Sequence, residues 1–190
     1  MSAVTVQLRC PLTSADLADK GKPVTELQLP RPTLKVLQRV DTIEGEVAMT
    51  LATLELLTGR DKATLRQLKG RDLEACAAVL APLLREAAPE GDATEDEEGV
   101  TTVKLQHPIT VLDGEDKGTT LDTLVLQQPD LGQLELLDGV KSKARRVCVL
   151  LSKLTGYSQR TLGELDVVDV KVFSRILGIA LGKDPTTGGT

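Results

Sequence analysis

One histidine, His107, and three cysteines, Cys10, Cys76 and Cys148, are the residues of this 190-residue chain best suited to proton transfer, nucleophilic attack or metal binding. The cysteines are odd in number and far apart in sequence. No C-x-x-C or H-E-x-x-H spacing brings two ligands together, so neither a disulfide framework nor a zinc site is expected. All three read as buried, reduced thiols. His107 reads as a residue at a strand end. Asp72 and Asp169 suit a paired acid site, yet each is placed to begin a helix, where a carboxylate stabilises the N-terminal dipole. Asp166 is expected to cap the later helix, with Asp169 three residues on. Thr58-Gly59 and Thr155-Gly156 are turn signals, since a phosphate loop needs G-x-x-x-x-G-K-[ST]. No G-x-S-x-G elbow occurs. The expectation is a protein without catalytic residues, metal or cofactor.

Composition narrows the partners. Hydrophobic residues make up 41% of the chain, enough for a core, but aromatic residues only 1%: Tyr157 and Phe173. Stacking platforms for bases or sugars need aromatic rings, which counts against nucleic-acid and most carbohydrate binding. The net charge is −5 and the sequence pI near 5.0, with no extended basic patch for a phosphate backbone. The N-terminus MSAVTVQLRC lacks the layout of a signal peptide, and no apolar run reaches the ~18 residues of a membrane span. The segment Pro89 to Gly99 carries six acidic residues and no basic one, so the acidity of the chain is concentrated there. It reads as a disordered linker over 89–99. Residues 183–190 read as a disordered tail.

The elements that position these residues occur twice. Thr5-Val-Gln-Leu-Arg-Cys-Pro-Leu-Thr13 aligns with Thr102-Val-Lys-Leu-Gln-His-Pro-Ile-Thr110 at an offset of 97. The same offset carries Leu57-Thr58-Gly59 onto Leu154-Thr155-Gly156, Thr64-Leu65 onto Thr161-Leu162, and Asp72 onto Asp169. From Val4 to Leu84 no gap is needed, and roughly a third of the positions are identical, including Pro, Gly, Thr and Asp. Two tandem modules are expected, at 1–88 and 100–182.

Within a module, Val4, Val6 and Leu8 alternate with polar residues, as do Val103 and Leu105, which predicts a half-buried strand. Pro11 and Pro108 are expected to close it. A polar loop with Gly21 or Gly118 leads to a second strand at Val24–Leu29, making a hairpin. Pro32 and Pro129 should open a short helix containing Leu34 and Leu37. A helix from about 44 to 57 follows, with Val47, Leu51, Leu54 and Leu57 as an apolar stripe. Gly59 and Gly156 should end these helices in the left-handed conformation. Asp61 and Ser158 should cap a short helix holding Leu65 and Leu68. A last helix over about 71–85 points Leu73, Cys76, Val79, Leu80 and Leu83 inward; its counterpart uses Val170, Phe173, Ile176, Leu177 and Leu181. The fold class is α+β, each module a β-hairpin packed on three to four short helices. A hairpin is marginal alone and must lie on helices.

The combined run resembles a known family. The order is V-x-L-x-x-P-[LI]-T, then L-x-L-x-x-P, a helix ending L-T-G, T-L-x-x-L, and D-[LV] opening the last helix. This looks like the tail assembly chaperones of Mu-like contractile-tailed phages, present here twice over nearly the whole chain. The resemblance implies a chaperone that binds the tape measure protein, keeps it soluble and recruits tail tube protein. It also implies residence in the host cytoplasm and absence from the mature virion. Self-association fits it as well. Family members often have a frameshifted longer form; Gly182-Lys183 reads as part of a polar tail, with a slippery codon pair over it as the alternative. The expected contact surface is Val47, Leu51, Leu54 and Leu57 together with Val147, Leu150, Leu151 and Leu154. Two other readings are a structural tail or baseplate component and a non-catalytic adaptor sharing the fold.

Overall fold

The structure, a computed structural model, describes residues 3–85, 93–97 and 99–178. The expected tail 183–190, Gly182-Lys183, Leu181 and, within the acidic segment, residues 89–92 and 98 lie outside the described residues. The chain is α+β and forms two compact units. Unit 1 comprises Met1–Pro32 and Thr42–Glu86, and unit 2 comprises Thr33–Asp41 and Ala87–Thr190.

In unit 1, β1 (Val4–Thr13) pairs antiparallel with β2 (Pro23–Leu29), with Val6 opposite Leu27 and Leu12 opposite Val24. The register shifts between Gln7 and Leu12. Pro11 sits inside this irregular stretch and does not end the strand as expected. A proline has no N–H to give a ladder, and a bulge needs none at that position. Three helices complete the unit: α2 (Glu46–Thr58), α3 (Lys62–Leu65) and α4 (Gly70–Arg85). The seven-residue helix α1 (Leu34–Val40), which precedes them in sequence, belongs to unit 2. The unit 1 core joins Val6, Leu12, Leu27 and Leu29 of the hairpin to Leu54, Leu65, Cys76 and Leu80 of the helices.

Unit 2 holds β3 (Ala93–Glu95), β4 (Thr101–Thr110), β5 (Thr120–Leu126), α5 (Leu131–Glu135), α6 (Lys143–Thr155), α7 (Gln159–Leu162) and α8 (Val167–Ile176). The strand order is β3-β4-β5. Each of β4, β5, α5, α6, α7 and α8 starts 97 residues after its counterpart in the first half. The register shift recurs as well, between Lys104 and Ile109 around Pro108. The strand β3 corrects the expected linker. Ala93 pairs with Val103 and Glu95 with Thr101, and the amide of Val100 donates to an Asp96 carboxylate oxygen at 2.8 Å to close the turn. The exposed edge of β4 accepts a strand even from an acidic segment, because ladder bonds use backbone groups alone.

Helix signals act where the residues place them. Gly59 (φ 66°) and Gly156 (φ 76°) end α2 and α6 in the left-handed conformation. Asp61 accepts from the Ala63 amide at 2.7 Å, and Ser158 from that of Thr161 at 3.2 Å. Helices α1 and α5 begin at Leu34 and Leu131, with Thr33 and Asp130 as caps, so Pro32 and Pro129 stand just outside them.

Candidate functional site

The polar residues that suggested chemistry hold the fold together. The bulge in β1 withdraws the amides of Arg9 and Cys10 from the ladder. Asp72 accepts both, at 2.9 and 3.2 Å, and is 1% exposed. Asp169 does the same for Gln106 and His107, at 2.8 and 3.1 Å. This corrects the expected role: each carboxylate ties a helix to a strand rather than serving the dipole alone. Burial pushes the Asp169 carboxyl above its usual range, and the two backbone amides pull the other way. Asp166 caps α8, accepting from the Val168 amide at 2.9 Å.

Thr64 and Thr161, both fully buried, accept from the amides of Ala15 and Leu112 through their hydroxyls at 2.8 and 3.0 Å. In unit 1 the loop is also held by Arg60, which contacts Asp16 at 3.0 Å and Asp19 at 2.7 Å. Hydrogen bonds from Arg60 and the Asp61 amide hold the Asp16 carboxyl below its usual range, and those from Ser14 and Arg60 do so for Asp19.

Two of the three thiols are buried. Burial pushes Cys76 up to about 11 and also raises Cys148. Cys10 is exposed, contrary to expectation, because its position in the bulge turns it away from the core. Among the described residues no group of three His, Cys, Asp or Glu side chains could hold a metal ion, and no helix is long and apolar enough to cross a membrane.

The eight expected contact residues divide unequally. Val147, Leu150, Leu151 and Leu154 are buried in the unit 2 core, and Leu54 in that of unit 1. Close-packed side chains have no surface to offer a partner, so these five are corrected to core residues. Leu51 and Leu57 are partly buried against the unit 1 core, and Val47 is 59% exposed. The open apolar surface of unit 1 lies beside them. A groove of about 210 Å³ runs between α2 and α4, lined by Met49, Thr50, Thr53, Ala77, Leu80, Ala81 and Leu84.

Comparison with family models, curated proteins and solved structures gives no match to this chain. Geometry alone therefore bears on what the groove receives. Among the described residues it offers small and flexible side chains and no ionisable group other than Glu46. Such a surface suits apolar side chains presented by a helix rather than a charged small molecule. Sequence periodicity missed Ala77 and Ala81, because alanine carries little weight in an apolar stripe.

Proposed function

We propose that this protein is a phage tail assembly chaperone that binds the tape measure protein, keeps it soluble in the host cytoplasm and promotes tail tube assembly. The observation that carries this reading is the doubled sequence run, from V-x-L-x-x-P to the L-T-G turn and the helix-opening Asp72 and Asp169. The α2–α4 groove supports it, as a place for the apolar face of an amphipathic partner helix. Several chaperone copies along one long helix would bind by avidity, each contact being weak.

The test is co-expression with a tape measure protein, which this reading expects to be long, helix-rich and encoded next to this chain. Wild type should keep that protein in the soluble fraction. Met49→Glu and Ala81→Glu place charge in the groove and should each lower its soluble yield several-fold while the chaperone itself stays folded. Soluble yield that is unchanged by both variants would remove the groove from the proposal. Detection of the chain in purified virions by mass spectrometry would favour a structural tail component instead.

A further inference from the structure

Helix α1 seats on unit 2 through a defined set of contacts. The amides of Leu34 and Lys35 donate to the carbonyls of Leu165 and Gly163, at 2.8 and 2.9 Å, and Thr33 bridges to Asp166. Leu34 is fully buried, and Val36 and Val40 nearly so. At its far end Asp41 accepts from the Ser142 hydroxyl at 2.8 Å and the Ala144 amide at 3.0 Å, capping α6.

At the offset of 97, each part of this arrangement has a counterpart that, among the described residues, lacks its partner helix. The positions of Ala144, Cys148, Leu165 and Val170, all buried, are held in unit 1 by Val47, Leu51, Leu68 and Leu73, of which Val47 is exposed and the others only partly buried. Helix α2 starts at Gly45 with no side-chain cap, where α6 has Ser142 and Asp41. The counterpart of α1 is α5. It buries none of its residues, and Leu131, Leu134 and Leu136 are 80, 40 and 49% exposed. Asp138 stands where Asp41 does and is exposed.

The side chains that differ between the two settings match each other. In unit 2 the receiving position is Gly163, with the Lys35 side chain within 3.5 Å of where its Cβ would be. In unit 1 the receiver is Arg66 and the donor position is Gly132, so bulk has moved from one partner to the other. The bridge Thr33–Asp166 becomes Asp130 beside Lys69, an opposite-charge pair.

We propose that α5 of one molecule docks on unit 1 of a second copy of this chain, in the place that α1 holds on unit 2, so that the protein self-assembles head to tail. The interface is heterologous, and repeated addition gives an open filament or a closed ring. Leu131 and Leu134 enter the surface of Val47, Leu51, Leu68 and Leu73, and Asp138 caps α2.

Sedimentation velocity over a concentration series tests this. Wild type should show an average sedimentation coefficient that rises with concentration. The α5 variant Leu131→Asp/Leu134→Asp and the receiving variant Val47→Asp should each remain monomeric. Both change exposed residues, and circular dichroism checks that they are folded. Mixed in equal amounts, the two should give a dimer and nothing larger, since one intact α5 meets one intact receiving surface. In a Cys10→Ser background, Val47→Cys with Asp138→Cys should oxidise to a covalent ladder on a non-reducing gel. A concentration-independent monomer, variants that still self-associate, or a cross-link closed within single chains would each overturn the proposal.

Discussion

Asp72 and Asp169 each sit almost fully buried and take two backbone amides that a bulge has removed from a ladder. Removing the carboxylate leaves two buried donors without acceptors. Asp72→Ala and Asp169→Ala should each cost about 3 kcal/mol, and Asn at either site should restore part of it, as read by urea unfolding. The half-buried cluster of Asp16, Asp19 and Arg60 has a different signature. Both carboxyls are held below their ordinary value of 3.8, so their contribution is present above that pH and is lost as pH falls through the lowered values. For Asp169 the raised value gives the opposite sign: proton uptake in acid favours the folded form. Acid titration followed by NMR should therefore show the Ser14–Lys22 loop loosening below about pH 4, and Arg60→Met should remove that component. Among the thiols, native protein should react with a maleimide at Cys10 alone. Cys76, pushed up to about 11, and buried Cys148 should react only after unfolding.

Elements whose ends carry a local chemical reason were readable from the sequence. Gly59, Gly156, Asp61 and Ser158 end or begin helices through contacts within a few residues of themselves. Hairpin alternation was equally direct. What a sequence pattern does not encode is which core an apolar face enters. Leu34 and Leu37 announce a buried stripe, yet nothing in their spacing says that the carbonyls of Leu165 and Gly163, more than a hundred residues on, receive the amides of Leu34 and Lys35. Strand β3 was hidden for a related reason: a three-residue edge strand needs only backbone groups, and Thr94-Glu95 shows no alternation. The expected contact residues erred through the same gap, since a stripe on α6 reads alike whether or not another helix covers it. The placement of α1 makes a sharp prediction. Leu34→Ala should cost about 3 kcal/mol of cavity and transfer energy, and hydrogen exchange should report the loss in α6 and α8 rather than in α2 and α4.

For the whole molecule, the boundary suggested by composition near 89–99 and the boundary of the compact units differ. A fragment beginning at Val100 carries every strand and helix of the second sequence repeat but lacks β3 and α1, which unit 2 uses at the edge of β4 and at its α6–α8 face. Residues 33–190 should therefore fold with a cooperative thermal transition, while 100–190 should melt at lower temperature or not cooperatively, as seen by circular dichroism. Deleting 100–190 in the proposed tail assembly role should likewise leave α1 without its seat, so full tail yield from that deletion would argue against a division of labour between the halves. The same placement acts on time. On the ribosome α1 emerges soon after β2, but α8, which helps seat it, is finished only at Ile176. At about 5–20 residues per second, the apolar face of α1 waits on the order of ten seconds for its core. During that interval unit 1, whose helices end at Arg85, is already made. The pace of translation thus sets how long Leu34, Val36 and Val40 stay uncovered in each new chain.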